Sequence, residues 1–188
     1  MPASSPDQAG QGERPARVFF AIWPPLALRQ RFAAVAHDLA SAIGGRASVP
    51  GTLHLTLAFI GNTSAAERER LSRAASGVAA VAQPFDVTLD RLGAFQKAGV
   101  VWLGCSEPAP SLLELAAGLR AAVTQAGFTL EPRPFTPHLT LVRHSRGRLP
   151  RVEPDAASWR VDAMTLTASA PGPHGASYRD LETYPLHR

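Results

Sequence analysis

Two short strings carry the residue types for acid–base chemistry: His54-Leu55-Thr56-Leu57 and His138-Leu139-Thr140-Leu141. Each sets an imidazole and a hydroxyl two residues apart among leucines. Alternate side chains of a strand share a face, so His54 and Thr56 look one way while Leu53, Leu55 and Leu57 look the other. The same alternation separates His138 and Thr140 from Leu139 and Leu141. The leucines can hold each strand on a core and leave imidazole and hydroxyl outside it. With an ordinary pKa near about 6.5, a pair of histidines can divide labour, one as neutral base and one as protonated acid. Threonine hydroxyls donate to oxygen. Two imidazoles and two hydroxyls meeting in one cleft suit a phosphodiester, with acid and base in line and hydroxyls on the non-bridging oxygens.

A single histidine on a strand is most often structural; the repetition, one copy in each half of the chain, is what points to two facing half-sites. Other chemistries find less support. Zinc sites usually keep a close pair of His or Cys ligands plus a third, whereas H-x-T offers one nitrogen per copy and His144 falls in an arginine-rich loop. No metal and no cofactor are expected. No G-x-S-x-G elbow, G-x-G-x-x-G turn or Walker loop is present. Gly172, His174 and Gly175 lack phosphate-cradle spacing. The only lysine, Lys97, sits in Q-K-A-G without a supporting carboxylate, which argues against an adenylating nucleophile. The single Cys105 ends V-V-W-L-G-C and reads as a packed thiol at a strand end.

The elements that must position these residues can be placed along the chain. Residues 1–16 are rich in Pro, Ser, Gln and Gly without apolar period and read as a disordered tail, leaving 17–188 as one domain. Val18–Ile22 reads as a buried strand, and Leu26–Ile43 as a helix with apolar residues at 28, 32, 35, 39 and 43, stopped by Gly44-Gly45. His37 lies on that helix as a surface residue. The first H-L-T-L strand covers Leu53–Ile60. Ser64 to Glu67 has the form of a capping box opening a helix to about Val81. Phe85–Leu89 and Gly99–Gly104 read as a hairpin joined by Leu92–Ala98. Ser111 to Glu114 resembles a second capping box, for a helix striped by Leu112, Leu115, Leu119 and Val123 and closed by Gly127. After the second H-L-T-L strand and an Arg-rich loop (143–151), Val161–Ala168 and Tyr178–Leu186 read as strands. A helix precedes each H-L-T-L strand. The fold expected is α+β: two similar lobes, antiparallel or mixed sheets, and outer helices around a central cleft.

Composition bounds the rest. The chain has 188 residues, 45% hydrophobic and 18% charged, an ordinary globular profile. No apolar run reaches membrane-span length and no signal pattern opens the chain, so a cytoplasmic protein is expected. The net charge of +4 is compatible with a polyanionic ligand, but the arginine and alanine bias could equally be compositional. No protein partner is indicated, and without an apolar seam a monomer is expected.

The paired H-x-T units resemble the two-histidine phosphoesterase superfamily, and in detail its bacterial RNA 2′,3′-cyclic phosphodiesterase (2′-5′ RNA ligase-like) branch. The resemblance spans R-V-F-F-A-I at 17–22, L-H-L-T-L-A-F-I-G at 53–61, V-V-W-L-G at 100–104, R-P-F-T-P-H-L-T-L-V-R at 133–143 and the segment from Tyr178 to Leu186. It implies metal-independent hydrolysis of a 2′,3′-cyclic phosphate, on an RNA end or a small cyclic nucleotide, to a 2′-phosphate. In that reading His54 is the proton donor, His138 the proton acceptor, and Thr56 and Thr140 bind phosphate oxygens. Arg143 would complete H-x-T-x-x-R as a phosphate contact, and Phe59 is a candidate for base stacking. Strict alternation points both away from the histidine face, so each needs a strand end or a bulge to reach the cleft. Phe20 and Tyr178 are weaker stacking candidates, with core packing favoured for both. Two alternatives remain: reversible 2′-5′ RNA ligation at the same site, and a basic RNA-binding module with incidental histidines.

Overall fold

The computed structural model describes residues 15–150, 154–172 and 175–187. Most of the expected tail, with Arg151 and His174 of the loops noted above, lies outside them. β1 (Ala16–Ile22) leads through Trp23-Pro24-Pro25 into α1 (Leu26–Ile43), which Gly44 ends at φ 72. The buried face of α1 is Phe32, Ala36, Leu39 and Ile43; Val35 lies off that stripe and is 39% exposed. A two-residue strand, β2 (Arg46–Ala47), precedes β3 (Leu55–Thr63). α2 (Ala65–Ala79) opens on the expected capping box: Ser64 accepts from the Glu67 amide while Glu67 accepts from the Ser64 amide.

The middle of the chain departs from the expected hairpin. β4 (Phe85–Leu89) does not pair with β6 (Val100–Gly104). Arg91–Phe95 forms a further strand, β5, which pairs with β6 around a short turn at Gln96–Ala98, while β4 pairs with β8 (Ala157–Val161). β4 and β8 alternate buried and exposed residues in step, so a distant partner satisfies β4 better than its sequence neighbour. The capping box expected at Ser111 is likewise absent. α3 (Pro110–Gln125), with Ala109 at its cap position, starts two residues earlier than a cap at Ser111 would set, because Pro110 can take the first helical position without losing a needed N–H. Gly127, at φ 90, closes α3: its amide reaches the Thr124 carbonyl and that of Phe128 the Val123 carbonyl. β7 (His138–Arg143), β9 (Ala163–Ala170) and β10 (Ser177–Pro185) complete the chain; the strand expected at 161–168 is β9, and β8, which ends at Val161, is a further strand before it.

Among the described residues, β10-β9-β1-β3-β7-β6-β5 lie side by side in one sheet, with β2 also on β7, and every pairing is antiparallel. The sheet is two halves, β10-β9-β1-β3 and β7-β6-β5 with β2, joined where β3 meets β7. α1, which precedes β3, packs on β7; α3, which precedes β7, packs on β3. Each H-L-T-L strand thus rests on the other half's helix. Leu53, Leu55, Leu57, Leu139 and Leu141 all sit in the resulting core. The two halves therefore share one apolar interior.

Candidate active site

One backbone pairing brings the two H-x-T units together. β3 and β7 pair at Leu55 opposite Leu139, both fully buried. Antiparallel alternation then sets His54 across from Thr140 and Thr56 across from His138, with all four on the face away from the leucines. The two histidines occupy the diagonal of this square, about 7–8 Å apart at the backbone. The Leu55–Leu139 pair lies on the local two-fold that relates the units.

Both imidazoles are held the same way. His54 Nδ1 lies 2.9 Å from the Thr52 carbonyl and His138 Nδ1 lies 2.7 Å from that of Thr136. A carbonyl only accepts, so Nδ1 carries the proton in both rings and each Nε2 is left for chemistry. The Thr56 hydroxyl lies 3.0 Å from His54 Nε2 and donates to it when the ring is neutral. The repeat is thus longer than four residues: Thr-Leu-His-Leu-Thr-Leu at 52–57 and Thr-Pro-His-Leu-Thr-Leu at 136–141. That extension was readable in the sequence; its use, a carbonyl rather than a hydroxyl, was not.

Aromatic rings wall in each histidine. Phe19 stacks on His54 at 4.7 Å between centroids, and Trp23 and Tyr178 stand at 5.0 and 5.1 Å. The Trp23 indole N–H is fixed by Thr165 Oγ1 at 2.8 Å. Phe95 meets His138 edge-on at 5.0 Å, with Trp102 behind it at 6.2 Å. Tyr178, for which core packing was favoured, instead forms part of the cleft wall, whereas Phe20 is fully buried in the core. The neighbouring Phe19 is the ring on the imidazole, because odd-numbered residues of β1 face the cleft.

Phe59 and Arg143 reach the histidine face by the same device. Ala21 pairs with Thr56 and Phe20 with Ala58, so Leu57 is an extra residue on β3. Trp102 pairs with Thr140 and Val101 with Val142, so Leu141 is an extra residue on β7. Each bulge lets two successive residues point into the core, Leu57 with Ala58 and Leu141 with Val142, and reverses the alternation beyond them. Phe59 and Arg143, each five residues after its histidine, consequently line the cleft.

That cleft, of about 810 Å³, is lined by His54, Thr56, Phe19, Phe59, Tyr178 and Arg143 among others. His138 and Thr140 do not line it; they adjoin it across the Leu55–Leu139 pair. Arg17, Arg46 and Val49 also line it, although no motif in the sequence marks them. Among the described residues, no three His, Cys, Asp or Glu side chains cluster as a metal site. Cys105 is half-buried, and burial raises its thiol to about 11, so it stays protonated at neutral pH.

Burial sets the charge state of the pair. It pushes His54 from 6.5 down to about 4; the bond to the Thr52 carbonyl opposes this, and Arg143 and His138 add to it. His138 is also lowered, first by burial, against the Thr136 carbonyl, with Arg143 adding. Without substrate both rings are therefore neutral at pH 7. Between pH 6.5 and 4 the unfolded chain binds a proton at His54 that the folded one does not, so stability falls as pH drops through that window. The loss expected from His54 is about 3 kcal/mol. Urea midpoints at pH 7.5 and pH 4.5 measure it: His54→Gln should lose distinctly less stability on acidification than the wild type. Equal losses would show that the ring is not held neutral by the fold.

The 2′-5′ RNA ligase superfamily model matches residues 24–172. A protein of Escherichia coli (strain K12) named RNA 2′,3′-cyclic phosphodiesterase is 35% identical over 178 residues, 92% of this chain and 97% of its own length. One of the same name from Thermus thermophilus is 31% identical over 180 residues, 90% of each chain. The crystal structure of E. coli LigT complexed with 3′-AMP matches with a TM-score of 0.86 at 33% identity, covering 93% of this chain and 99% of that one. With its paired H-x-T strands on one sheet face, the chain belongs to the 2′-5′ RNA ligase superfamily.

Proposed function

We propose that this protein is an RNA 2′,3′-cyclic phosphodiesterase that opens the cyclic phosphate at an RNA 3′ end to a 2′-phosphate, without a metal ion. The observation that carries the reading is the Leu55–Leu139 pairing, which sets two Nε2 atoms and two hydroxyls on one face with Arg143 beside them. Relatives named for this activity, two of them spanning 90% or more of the chain, support it.

In this mechanism the cyclic phosphate sits between the diagonal imidazoles. His138 Nε2 takes a proton from water as its oxygen bonds to phosphorus. His54 Nε2 gives its proton to the 3′ oxygen as the P–O3′ bond breaks. Thr56, Thr140 and Arg143 donate to the non-bridging oxygens, whose charge grows in the transition state. Phe59 offers a ring face for a base. The depressed His54 pKa suits this role once substrate arrives, because a phosphate anion beside an imidazole favours its charged form. The pH optimum of kcat should therefore lie above that of kcat/KM, which reports the free protein.

The test is incubation of an oligonucleotide ending in a 2′,3′-cyclic phosphate with the protein in excess EDTA. A product with a 2′-phosphate end is expected. A 3′-phosphate product would reverse the regiochemistry, and loss of activity in chelator would overturn the metal-free route. Adding a 5′-hydroxyl oligonucleotide in excess reports ligation, in which that hydroxyl replaces water at phosphorus and the P–O3′ bond breaks to leave a 2′-5′ phosphodiester.

A further inference from the structure

The cleft carries more positive charge than the proposed reaction uses. Arg17, Arg46 and Arg143 all line it, and among the described residues no Asp or Glu does. A cyclic phosphodiester brings one negative charge, which the H-x-T units and Arg143 suffice to bind. Arg17 and Arg46 are left over. Neither forms an ion pair with a carboxylate among the described residues, although the chain has 15 acidic residues.

Both guanidiniums are nevertheless positioned. Arg17 lies over the Phe59 ring at 4.7 Å, a cation–π contact that fixes the charge while leaving its N–H donors to the cleft. It lies four residues along β1 from Ala21, the partner of Thr56, so its backbone is about 13 Å beyond the Thr56 row. Arg46 pairs with Arg143 across β2 and β7. Its guanidinium passes so close to Gly175 that a Cβ there would sit 3.0 Å from Arg46 Nη1, and Gly175 has φ +120. Arg17 thus comes from one half of the sheet and Arg46 from the other, with the cleft between. Two exposed apolar side chains, Phe59 at 45% and Val49 at 58%, stand on the same walls and offer surfaces for nucleosides. The volume, about 810 Å³, lies high in the range of about 300–1,000 Å³ found for small-molecule sites.

We propose that Arg17 and Arg46 hold a second phosphate of the substrate, on the 5′ oxygen of the terminal ribose, so that the cleft selects an RNA end over a bare nucleoside cyclic phosphate. The inference rests on the phosphodiesterase reading for its first phosphate. Two sources supply the second: the internucleotide phosphodiester of RNA, or a 5′-phosphate on a free nucleotide.

Binding and turnover separate the outcomes. Calorimetric titration with adenosine 2′-phosphate and adenosine 2′,5′-bisphosphate should show the bisphosphate binding at least about ten-fold tighter to the wild type. That advantage should shrink to about two-fold or less in Arg17→Met with Arg46→Met, while affinity for the monophosphate holds. Log affinity for the bisphosphate should also depend less steeply on salt in the double variant. Equal affinities in the wild type, or an advantage that survives both substitutions, would overturn the proposal. Turnover then assigns the source. A dinucleotide and a 5′-phosphorylated nucleoside, each with a 2′,3′-cyclic end, should both gain in kcat/KM over the plain nucleoside cyclic phosphate, the dinucleotide more through its second base. If the bisphosphate advantage appears but no cyclic substrate is opened, the second subsite stands and the phosphodiesterase reading falls.

Discussion

Alanine at His138 or at His54 is expected to lower turnover of a 2′,3′-cyclic phosphate end by about 10²–10⁴-fold, the ordinary worth of a positioned acid or base. The two losses should not add. In the proposed mechanism acid and base act on opposite sides of one phosphorus, so a chain without either would retain mainly the binding groups. Single-turnover rates of the two alanine variants and the double variant measure this, with His37→Ala as control, since His37 is exposed on α1 and does not line the cleft. The pH profile assigns the roles. Loss of the base should remove the acid limb of kcat/KM, and loss of the donor should remove the alkaline limb. If either variant kept turnover within a few-fold of wild type, the two-histidine assignment would be wrong.

At Arg143 the expected loss is about 10²-fold in kcat/KM on substitution by alanine, because a charged donor aimed at the developing phosphate charge would be gone. A second effect has the opposite sign. Arg143 holds both imidazoles down electrostatically, so its removal should raise the pKa of each in the free protein. Titration of the histidine ring protons by NMR would register that rise. Arg143→Lys should keep part of the charge effect while losing the planar fork, and so fall between wild type and alanine in rate. Unshifted imidazoles in Arg143→Ala would show that the guanidinium points away from the site.

Several parts of the fold were legible because local patterns specify them. α1 carries its apolar stripe and its terminal glycines in sequence, and α2 carries its capping box. The alternation of Phe85–Leu89 marks a strand, but nothing local marks its partner, since β4 and β8 meet across more than sixty residues. The strand at Arg91–Phe95 is not legible locally, because R-L-G-A-F has little β character apart from its pairing with β6. Gly93 is there because the Trp102 ring of β6 occupies the place a Cβ would take. At α3, the local rule for Ser111 lost to the proline one residue before it.

By itself the sequence determined the local pattern: two H-x-T units, each with an imidazole and a hydroxyl on one face and leucines burying the opposite face. Strand alternation is a local property, so it is written in the order of residues. Only the tertiary structure decided that Leu55 lies against Leu139, which turns two separate strings into one square of four groups. It also decided that Leu57 and Leu141 are extra residues, which brings Phe59 and Arg143 to the histidine side. A bulge is defined by what lies across from it. The partners, β1 for Leu57 and β6 for Leu141, sit about forty residues away in the chain.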